Sequence, residues 1–354
     1  MYYMKPAYYD RFACTADKCH DTCCQDWEII IDDESMKRYK KMKGEIGERV
    51  RAAIGRTEEK EPCFSVQGGH CGLLTEDGLC SLQMQEGVEA LSKICIAFPR
   101  HIEEYDGVRE WSVDPSCEEA ARLILTSADQ SFISWEDEKG EEDIESYDDF
   151  DYFLYSEIDQ AREVIFDRLI DLDTKNLEAG ILRLAHEWQG NIDRGEGIVL
   201  ASDAGTPISS VDDLLSYETE KELFSQLFRL EVLRPGWSER LSKAYHKIFD
   251  SKESYEHYCE GIAECQQYER RLIRYMIYVY FCGAAYDMRL FARAALAVFY
   301  SRWAIMLYLT EEDEVFCLDD LVKSVYIFTR EAIHSDTNLE ALLSEFDARC
   351  PLGK

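Results

Sequence analysis

Several common signatures are missing from this 354-residue sequence. It contains no C-x-x-C, which excludes the ordinary zinc ribbon and the thioredoxin-type redox motif. No charge-free apolar run reaches the roughly 18 residues of a membrane span; the longest candidate is YMIYVYFCGAAY (275–286). The start, MYYMKPAYYDRF, lacks the basic-then-apolar pattern of a secretory signal. We therefore expect a cytoplasmic protein without membrane spans.

Basic residues are also scarce. The chain has 39 Lys and Arg against 71 Asp and Glu, a formal net charge of −32. Nucleic-acid binding needs a basic surface, so this composition argues against DNA, RNA and anionic lipid as partners. It suits a basic partner, such as a protein with exposed lysines, and it also simply favours solubility.

Glycine-rich phosphate-binding loops are absent as well. GNIDRGEG (190–197) has the glycines but no preceding strand and no βαβ pattern, so we interpret it as a loop. The sequence therefore argues against an ordinary Rossmann nucleotide-binding fold. With 46% hydrophobic residues, the chain is nevertheless typical of a globular protein that folds without covalent cross-links.

Cysteine, in contrast, is abundant. Nine of the fourteen cysteines lie between Cys14 and Cys117, and CTADKCHDTCCQDW (14–27) places four within eleven residues. A disulfide knot, a metal or iron–sulfur site, and buried reduced thiols are the alternatives. In a reducing compartment such a group favours metal or redox chemistry. Because neighbouring side chains diverge, the doublet Cys23–Cys24 suits either two metal sites or one ligand plus one buried thiol.

Individual positions carry further hints. Cys19 and Cys23 would share a face if they lay on one helical turn. Cys80 follows a glycine turn that lets the backbone bend around an ion. Cys117 falls at the start of a predicted helix, whose positive end should lower its pKa. His20 and His70 each neighbour a cysteine, but such histidines more often face solvent.

The chain divides into three regions by composition. Residues 1–130 form a cysteine-rich region of short helices and glycine turns, and 161–354 form a helical domain. Between them, 131–160 is an acidic linker or lid: residues 136–160 hold twelve acidic residues and one lysine. The aromatic residues in its second half suggest that this half docks on the protein; they are Tyr147, Phe150, Tyr152, Phe153 and Tyr155.

Apolar periodicity and capping signals predict the helices. We expect Asp33 to cap a helix through Met42, a helix over 86–98 that Pro99 stops, and a capping box from Ser116 to Glu119. Further helices are predicted at 211–234, 238–249, 254–285, 287–309, 318–334 and 338–347. The fold class is mainly α, with an irregular cysteine-rich N-terminal metal-binding region packed on a larger all-helical body.

The ordered cysteine set resembles a known family. The pattern is C-x4-C-x3-C-C-x2-W at 14–27, C-x8-C-S-L-Q at 71–83, C-x3-P-R at 95–100 and S-C-x-E-A-A-R-L at 116–123. It is similar to the bacterial flagellin lysine-N-methylase family and, in its first half, to a broader group of zinc- or iron-chelating cysteine-cluster proteins. The stretch YERRLIRYMIYVYFCGAAYD (268–287) continues the likeness.

The resemblance implies methyl transfer from S-adenosylmethionine to lysines of flagellin or a similar protein in the cytoplasm, with a [4Fe–4S] cluster, or zinc as the alternative. The ligand candidates that it implies are Cys14, Cys19, Cys23, Cys24, Cys71, Cys80, Cys95 and Cys117. Cys63 has no counterpart. The alternative function is a non-catalytic metal-binding or redox-sensing protein with a helical partner-binding domain; a cluster enzyme of other chemistry is a third.

Methyl transfer to an amine requires a deprotonated lysine and a methyl sulfonium held in line with it. Tyr275, Tyr278 and Asp287 would lie near one helical face and are the candidates for catalytic groups. The competing interpretation is stronger, because aromatic residues at this spacing in an apolar helix are usually core.

Overall fold

The computed structural model describes residues 1–25, 29–57, 60–64, 66–67, 70–137, 150–171, 174–200, 208–311 and 316–350. Within them, strands lie before residue 137 and long helices after residue 150. The mainly α fold class, with a cysteine-rich N-terminal region on a helical body, is confirmed. The sheets of the first region were not predicted, since their strands are only two to six residues long.

The described strands form three sheets. The strands are β1 (Tyr2–Pro6), β2 (Ile29–Ile30), β3 (Ile54–Arg56), β4 (Pro62–Phe64), β5 (Val66–Gln67), β6 (His70–Cys71), β7 (Arg100–Tyr105), β8 (Val108–Val113) and β9 (Phe132–Glu136). The largest sheet has the strand order β7-β8-β1-β9, in which β1 pairs parallel with β8 and antiparallel with β9. A three-stranded sheet has the order β2-β4-β3, and β5 pairs with β6 in a two-stranded sheet.

The helices of this region are short: α1 (Asp33–Lys41), α2 (Gly44–Ala53), α3 (Ser81–Glu86), α4 (Lys93–Ala97) and α5 (Glu118–Thr126). The N-cap of α1 is Asp32 rather than Asp33, and its carboxylate accepts a hydrogen bond from Ser35 N–H at 3.0 Å. The predicted helix over 86–98 is wrong in extent, because Gly87 adopts φ +83° and only a 3₁₀ turn precedes α4.

The C-terminal body is built from α6 (Tyr152–Asp171), α7 (Thr174–Asp193), α8 (Ser209–Asp212), α9 (Tyr217–Ser225), α10 (Trp237–Ile248), α11 (Lys252–Glu264), α12 (Gln266–Tyr280), α13 (Ala284–Asp287), α14 (Leu290–Glu311), α15 (Leu318–Ala332) and α16 (Asp336–Ala348). The predicted helix 254–285 is interrupted at Cys265, between α11 and α12. The predicted helix 211–234 is likewise broken into shorter pieces, whereas α10 and α14 to α16 match their predicted ranges within about three residues.

Helix α14 is the centre of the body. It packs against α7, α10, α11, α12, α15 and α16. By length and composition it is apolar enough to cross a membrane, yet 94% of its most apolar 18-residue window is buried inside the fold. Such burial is what a core helix in a globular protein requires.

Two separate hydrophobic cores result. The larger runs through the helices of the body and reaches the four-stranded sheet and α5. The smaller is formed around Ile31, Tyr39, Val50, Phe64 and Leu82 by β2, β4, α1, α2 and α3. The cysteine-rich region therefore has only a modest apolar core of its own.

The predicted acidic linker is ordered at both described ends. Its first residues form β9, and its last enter α6. Phe150 and Tyr155 pack against the rings of Tyr105 and Tyr286, whereas Tyr152 and Phe153 are exposed. Tyr147 lies within 138–149, outside the described residues.

Candidate metal centre

The segment from Cys14 to Cys24, the first cysteine loop, is irregular. The 3₁₀ turn Ala16–Lys18 separates Cys14 from Cys19, and Ala16 adopts φ +50°. Ala16 N–H points at the Cys14 sulfur at 3.4 Å. Cys19 is extended, so Cys19 and Cys23 do not share the helical turn considered from their spacing.

Two arginines of the helical body anchor this loop through Asp21. Arg234 forms a bidentate pair with the Asp21 carboxylate at 2.6 Å, and Arg330 lies 3.1 Å from it. Arg330 also donates to the carbonyls of Asp21 and Ser116, at 2.9 and 2.7 Å. Because one guanidinium binds both segments, the loop is held beside the start of α5 and hence beside Cys117.

Cys117 is the N-cap of α5, not Ser116, so the predicted capping box does not form. Burial raises the pKa of the Cys117 thiol to about 12, although the backbone N–H groups of Glu119 and Ala120 act in the opposite direction. The prediction that the helix end would lower this pKa is therefore wrong in its net direction: desolvation of the thiolate outweighs the helix end.

A second set of cysteines surrounds the small core. Cys71 N–H donates to the Cys24 carbonyl at 2.8 Å, and Cys80 pairs with Leu74 across an isolated bridge after the turn at Gly78, which has φ +76°. Cys71 is buried in the small core, and Cys24, Cys80 and Cys95 pack against it. These four cysteines, which are separated in the sequence, thus all lie in or against the same small hydrophobic core.

Cys23 and Cys24 lie between the thiols near Cys117 and those around the small core. A hydrogen bond from the Cys23 thiol lowers the pKa of Cys24 to about 7 and, with burial, the same contact raises the pKa of Cys23. The two sulfurs therefore interact, contrary to the divergence expected of neighbouring side chains.

Backbone N–H groups lie beside many of these sulfurs. They come from Ala16 at Cys14, Asp21 at Cys19, Leu73 at Cys71, Leu82 and Gln83 at Cys80, and Glu119 and Ala120 at Cys117. N–H groups directed at sulfur stabilise thiolates and tune metal–thiolate centres. This donor set fits zinc or an iron–sulfur cluster chemically.

The thiols are neighbours without converging on one point. Among the residues that the structure describes, no three His, Cys, Asp or Glu side chains are arranged so as to hold a metal ion. Burial raises the pKa of Cys71 to about 11 and of Cys95 to about 12, so these thiols are protonated at neutral pH. A metal that bound here would have to displace these protons and draw the thiols together.

The two histidines that neighbour cysteines, His20 and His70, and the unmatched Cys63 have other surroundings. The exposed His20 ring contacts the Glu118 carboxylate at 2.8 Å, and His70 is exposed in β6. Cys63 is buried in β4. Cys19 is within 3.7 Å of Glu118, a contact that sequence spacing could not reveal.

The three catalytic candidates occupy structural positions. The Tyr278 hydroxyl donates to the carbonyl of Met4 at 3.0 Å, and Asp287 pairs with Arg293 at 2.8 Å and Arg289 at 2.9 Å. Tyr275 is buried in α12 and, with Tyr278, lines a narrow crevice that has no room for a water molecule. Their catalytic role stays a prediction, and nothing in these contacts supports it.

A larger surface groove of about 540 Å³ lies between α10 and the end of α14. It is lined by Gly236, Glu239, Arg240, Ser242, Lys243, His246, Lys247, Thr310 and Glu311. Sequence patterns could not predict this groove, because α10 and α14 come together only in the fold.

Comparison with known proteins identifies the helical body. Residues 164–350 match the family described as FliB lysine N-methylase C-terminal domain. The lysine-N-methylase of Salmonella typhimurium is 29% identical over 136 residues, 37% of this chain and 34% of that protein. The flagellar biosynthetic protein FliU of Salmonella muenchen is 29% identical over 139 residues, 35% of this chain and 78% of that protein.

The matched part thus spans about a third of the length of the Salmonella typhimurium lysine-N-methylase. No solved structure matches the chain. The family match nevertheless covers more than half of the chain, from within α6 to the residue after Arg349. The chain therefore belongs to the FliB lysine N-methylase family.

Proposed function

We propose that the protein is an S-adenosylmethionine-dependent protein-lysine N-methyltransferase that acts in the cytoplasm on flagellin or a similar protein. The observation that carries the proposal is the match of residues 164–350 to the lysine N-methylase C-terminal domain. The names of the two Salmonella relatives point to the same activity and to a flagellar context.

The proposal includes a cysteine-ligated iron–sulfur cluster, with zinc as the alternative metal. The residues that would hold it are those of the two cysteine sets, supported by the N–H groups beside their sulfurs. When bound, the cluster would fix the cysteine loops against the helical body. Methyl transfer from a sulfonium to an amine is redox-neutral, so the reaction itself requires no electron from the cluster.

The chemistry of the step is a direct displacement. The neutral lysine nitrogen forms a bond to the methyl carbon while the carbon–sulfur bond breaks, and the electron pair leaves on sulfur. The lysine must first lose its proton, and the amine must approach in line. The net charge of −32 favours encounter with a lysine-rich surface.

The sheet of this protein differs from that of Rossmann-type methyltransferases. Of the described strand pairs only β1–β8 is parallel, and the four-stranded sheet has no doubly wound arrangement of crossover helices. This agrees with the absence of a glycine-rich loop, so S-adenosylmethionine would bind in another manner.

The test is incubation of anaerobically purified protein with methyl-labelled S-adenosylmethionine and flagellin. We expect label on flagellin lysines, located by mass spectrometry, and none on flagellin whose lysines were acetylated beforehand. Absence of transfer from protein that retains its metal would contradict the proposal. Calorimetry showing no S-adenosylmethionine binding by the same preparation would favour the non-catalytic metal-binding or redox-sensing alternative.

A further inference from the structure

We propose that the eight cysteines form two separate four-thiolate metal sites, one from Cys14, Cys19, Cys23 and Cys117 and the other from Cys24, Cys71, Cys80 and Cys95. We call them the loop quartet and the core quartet. The division rests on the metal-binding part of the proposed function and is independent of methyl transfer.

The loop quartet is assembled between the first cysteine loop and α5. Arg330 hydrogen-bonds to the carbonyls of Asp21 and Ser116, and Glu118 accepts the His20 N–H at 2.9 Å. These contacts fix the loop on both sides of Cys117. The thiols that act most strongly on Cys117 are accordingly Cys19 and Cys14, and Cys23 interacts with Cys117 and Cys14.

The core quartet is assembled around the small hydrophobic core. The hydrogen bond from Cys71 N–H to the Cys24 carbonyl joins the end of the loop to β6, and Ser81 N–H donates to Leu73 O at 2.9 Å beside Cys80. Cys95 interacts with Cys24, Cys80 and Cys71, and Cys80 interacts with Cys24. All four pack in or against the small core.

The doublet provides one member to each quartet. The two sulfurs are hydrogen-bonded to each other but differ in their other neighbours: Cys23 interacts with Cys117 and Cys14, whereas Cys24 acts on Cys71, Cys80 and Cys95. The break between the quartets thus falls at the peptide bond between the two neighbours. This arrangement explains why the sequence holds two adjacent cysteines.

Each quartet also has its own arginine. Arg49 lies near Cys71 and Cys80, where it favours the thiolate form, and Arg330 acts in the same direction on Cys19 against the larger opposite effect of Glu118. Arg49 is held in place by hydrogen bonds to the carbonyls of Gly72 and Leu74, at 3.4 and 3.1 Å. Four thiolates around a divalent metal carry a net charge of −2, so a cation beside each quartet offsets the excess charge.

Four is the ligand number that both candidate centres require. Structural zinc takes four thiolates in a tetrahedron, and a [4Fe–4S] cluster is held by four cysteines. The described thiols do not lie close enough together to hold a metal ion, so metal binding would have to draw the members of each quartet together.

Cobalt(II) is the probe for the test, because tetrathiolate cobalt gives strong charge-transfer absorption. The full chain, stripped of metal and kept reduced, is titrated anaerobically with cobalt(II) and followed by native mass spectrometry. We expect two cobalt ions per chain. Cys14→Ser and Cys80→Ser should each halve that number, and the partly exposed Cys317→Ser serves as the control that keeps both ions.

Alkylation of the cobalt-loaded chains identifies the ligands. In Cys14→Ser the protected cysteines should be the core quartet, and in Cys80→Ser they should be the loop quartet. Wild-type chain with one cobalt equivalent gives the same information without a variant: each singly loaded molecule should protect one complete quartet.

One cobalt per wild-type chain, loss of both ions in either variant, or protected sets that mix the quartets would overturn the division. Two cobalt ions in a chain that transfers no methyl group would leave the division intact and contradict the proposed function. The two failures are therefore distinguishable.

Discussion

The cysteine-rich region and the helical body are stabilised in different ways. The body buries its apolar residues around α14, whose most apolar window is 94% buried. The cysteine-rich region has helices of five to ten residues and a small core, and four of its cysteines lie in or against that core. A small core seldom supports a fold alone. The difference indicates that the body is stabilised by apolar burial, whereas the cysteine loops depend on anchors such as the ion pairs of Asp21.

Metal removal should separate the two regions most clearly. If the proposed metal sites close these loops, chelation should expose the thiols of both quartets and greatly accelerate amide exchange around Cys19 and Cys71, because the metal bonds would be lost. Exchange in α12 and α14 should change little. Hydrogen-exchange mass spectrometry before and after chelation measures both. Equal acceleration in α14 would contradict independent stabilisation of the body.

The body should instead be sensitive to its buried ion pairs. Arg302 pairs with Glu178 at 2.6 Å and Glu220 at 2.8 Å, and all three are at most 5% exposed. Arg302→Met leaves two buried carboxylates without their cation, so we expect a loss of about 3–5 kcal/mol in the free energy of unfolding, measured by urea denaturation.

The control for this variant is the exposed pair of Lys243 and Glu239, 2.7 Å apart. Lys243→Gln should leave the unfolding free energy nearly unchanged, since solvent screens such pairs. A comparable loss of unfolding free energy in both variants would show that the buried Arg302 ion pairs stabilise the fold no more than an exposed pair does.

Loss of the Asp21 anchor should increase amide exchange in the first cysteine loop alone. Asp21→Ala removes charge-assisted hydrogen bonds from Arg234, worth about 1.5–3 kcal/mol, and should therefore accelerate amide exchange at Cys19 to Cys24 about 10- to 100-fold. Asp17→Ala, on the exposed part of the same loop, is the matched control. Equal exchange rates in the two variants would show that Asp21 does not anchor the loop.

The smallest change in the free energy of unfolding is expected on substitution of Asp287. Burial raises the pKa of this carboxyl, but hydrogen bonds and charge from Arg293 and Arg289 outweigh it and hold the pKa below its usual value. The pairing therefore stabilises the fold above the unfolded-state pKa of about 3.9 and is lost as pH falls through the lower folded-state pKa.

Asp287→Asn should accordingly lower the free energy of unfolding at pH 7 by about 1.5 kcal/mol, and the difference from wild type should vanish in acid. Denaturation at several pH values measures it. A variant of full stability that loses methyl transfer would instead restore Asp287 as a catalytic candidate.

Much of the body could be predicted from the sequence. Apolar periodicity located α10, α15 and α16, because long amphipathic helices carry their pattern locally. The strands were missed, since segments as short as β2 show no alternation and their pairing is set by distant partners. The break at Cys265 lies within a continuous helical pattern, so periodicity could not reveal it.

The candidate metal centre could likewise be predicted only in part. The ordered cysteine pattern identified all eight ligand candidates before any geometry. The proposed assignment of each cysteine to one of two quartets could not be made from the sequence, because it rests on contacts such as Cys71 with Cys24. The anchors were hidden for the same reason: Arg234 and Arg330 lie 213 and 309 residues from Asp21.

Metal and sulfide analysis of anaerobically purified protein, combined with counting of alkylated thiols, tests the central claim most directly. The claim is that the cysteine-rich region is a thiolate metal centre packed on a lysine N-methylase body. We predict bound iron with acid-labile sulfide, or zinc, and protection of the eight cysteines of the two quartets until a chelator is added. Metal-free protein of native helical content, with all eight thiols freely alkylated, would contradict it.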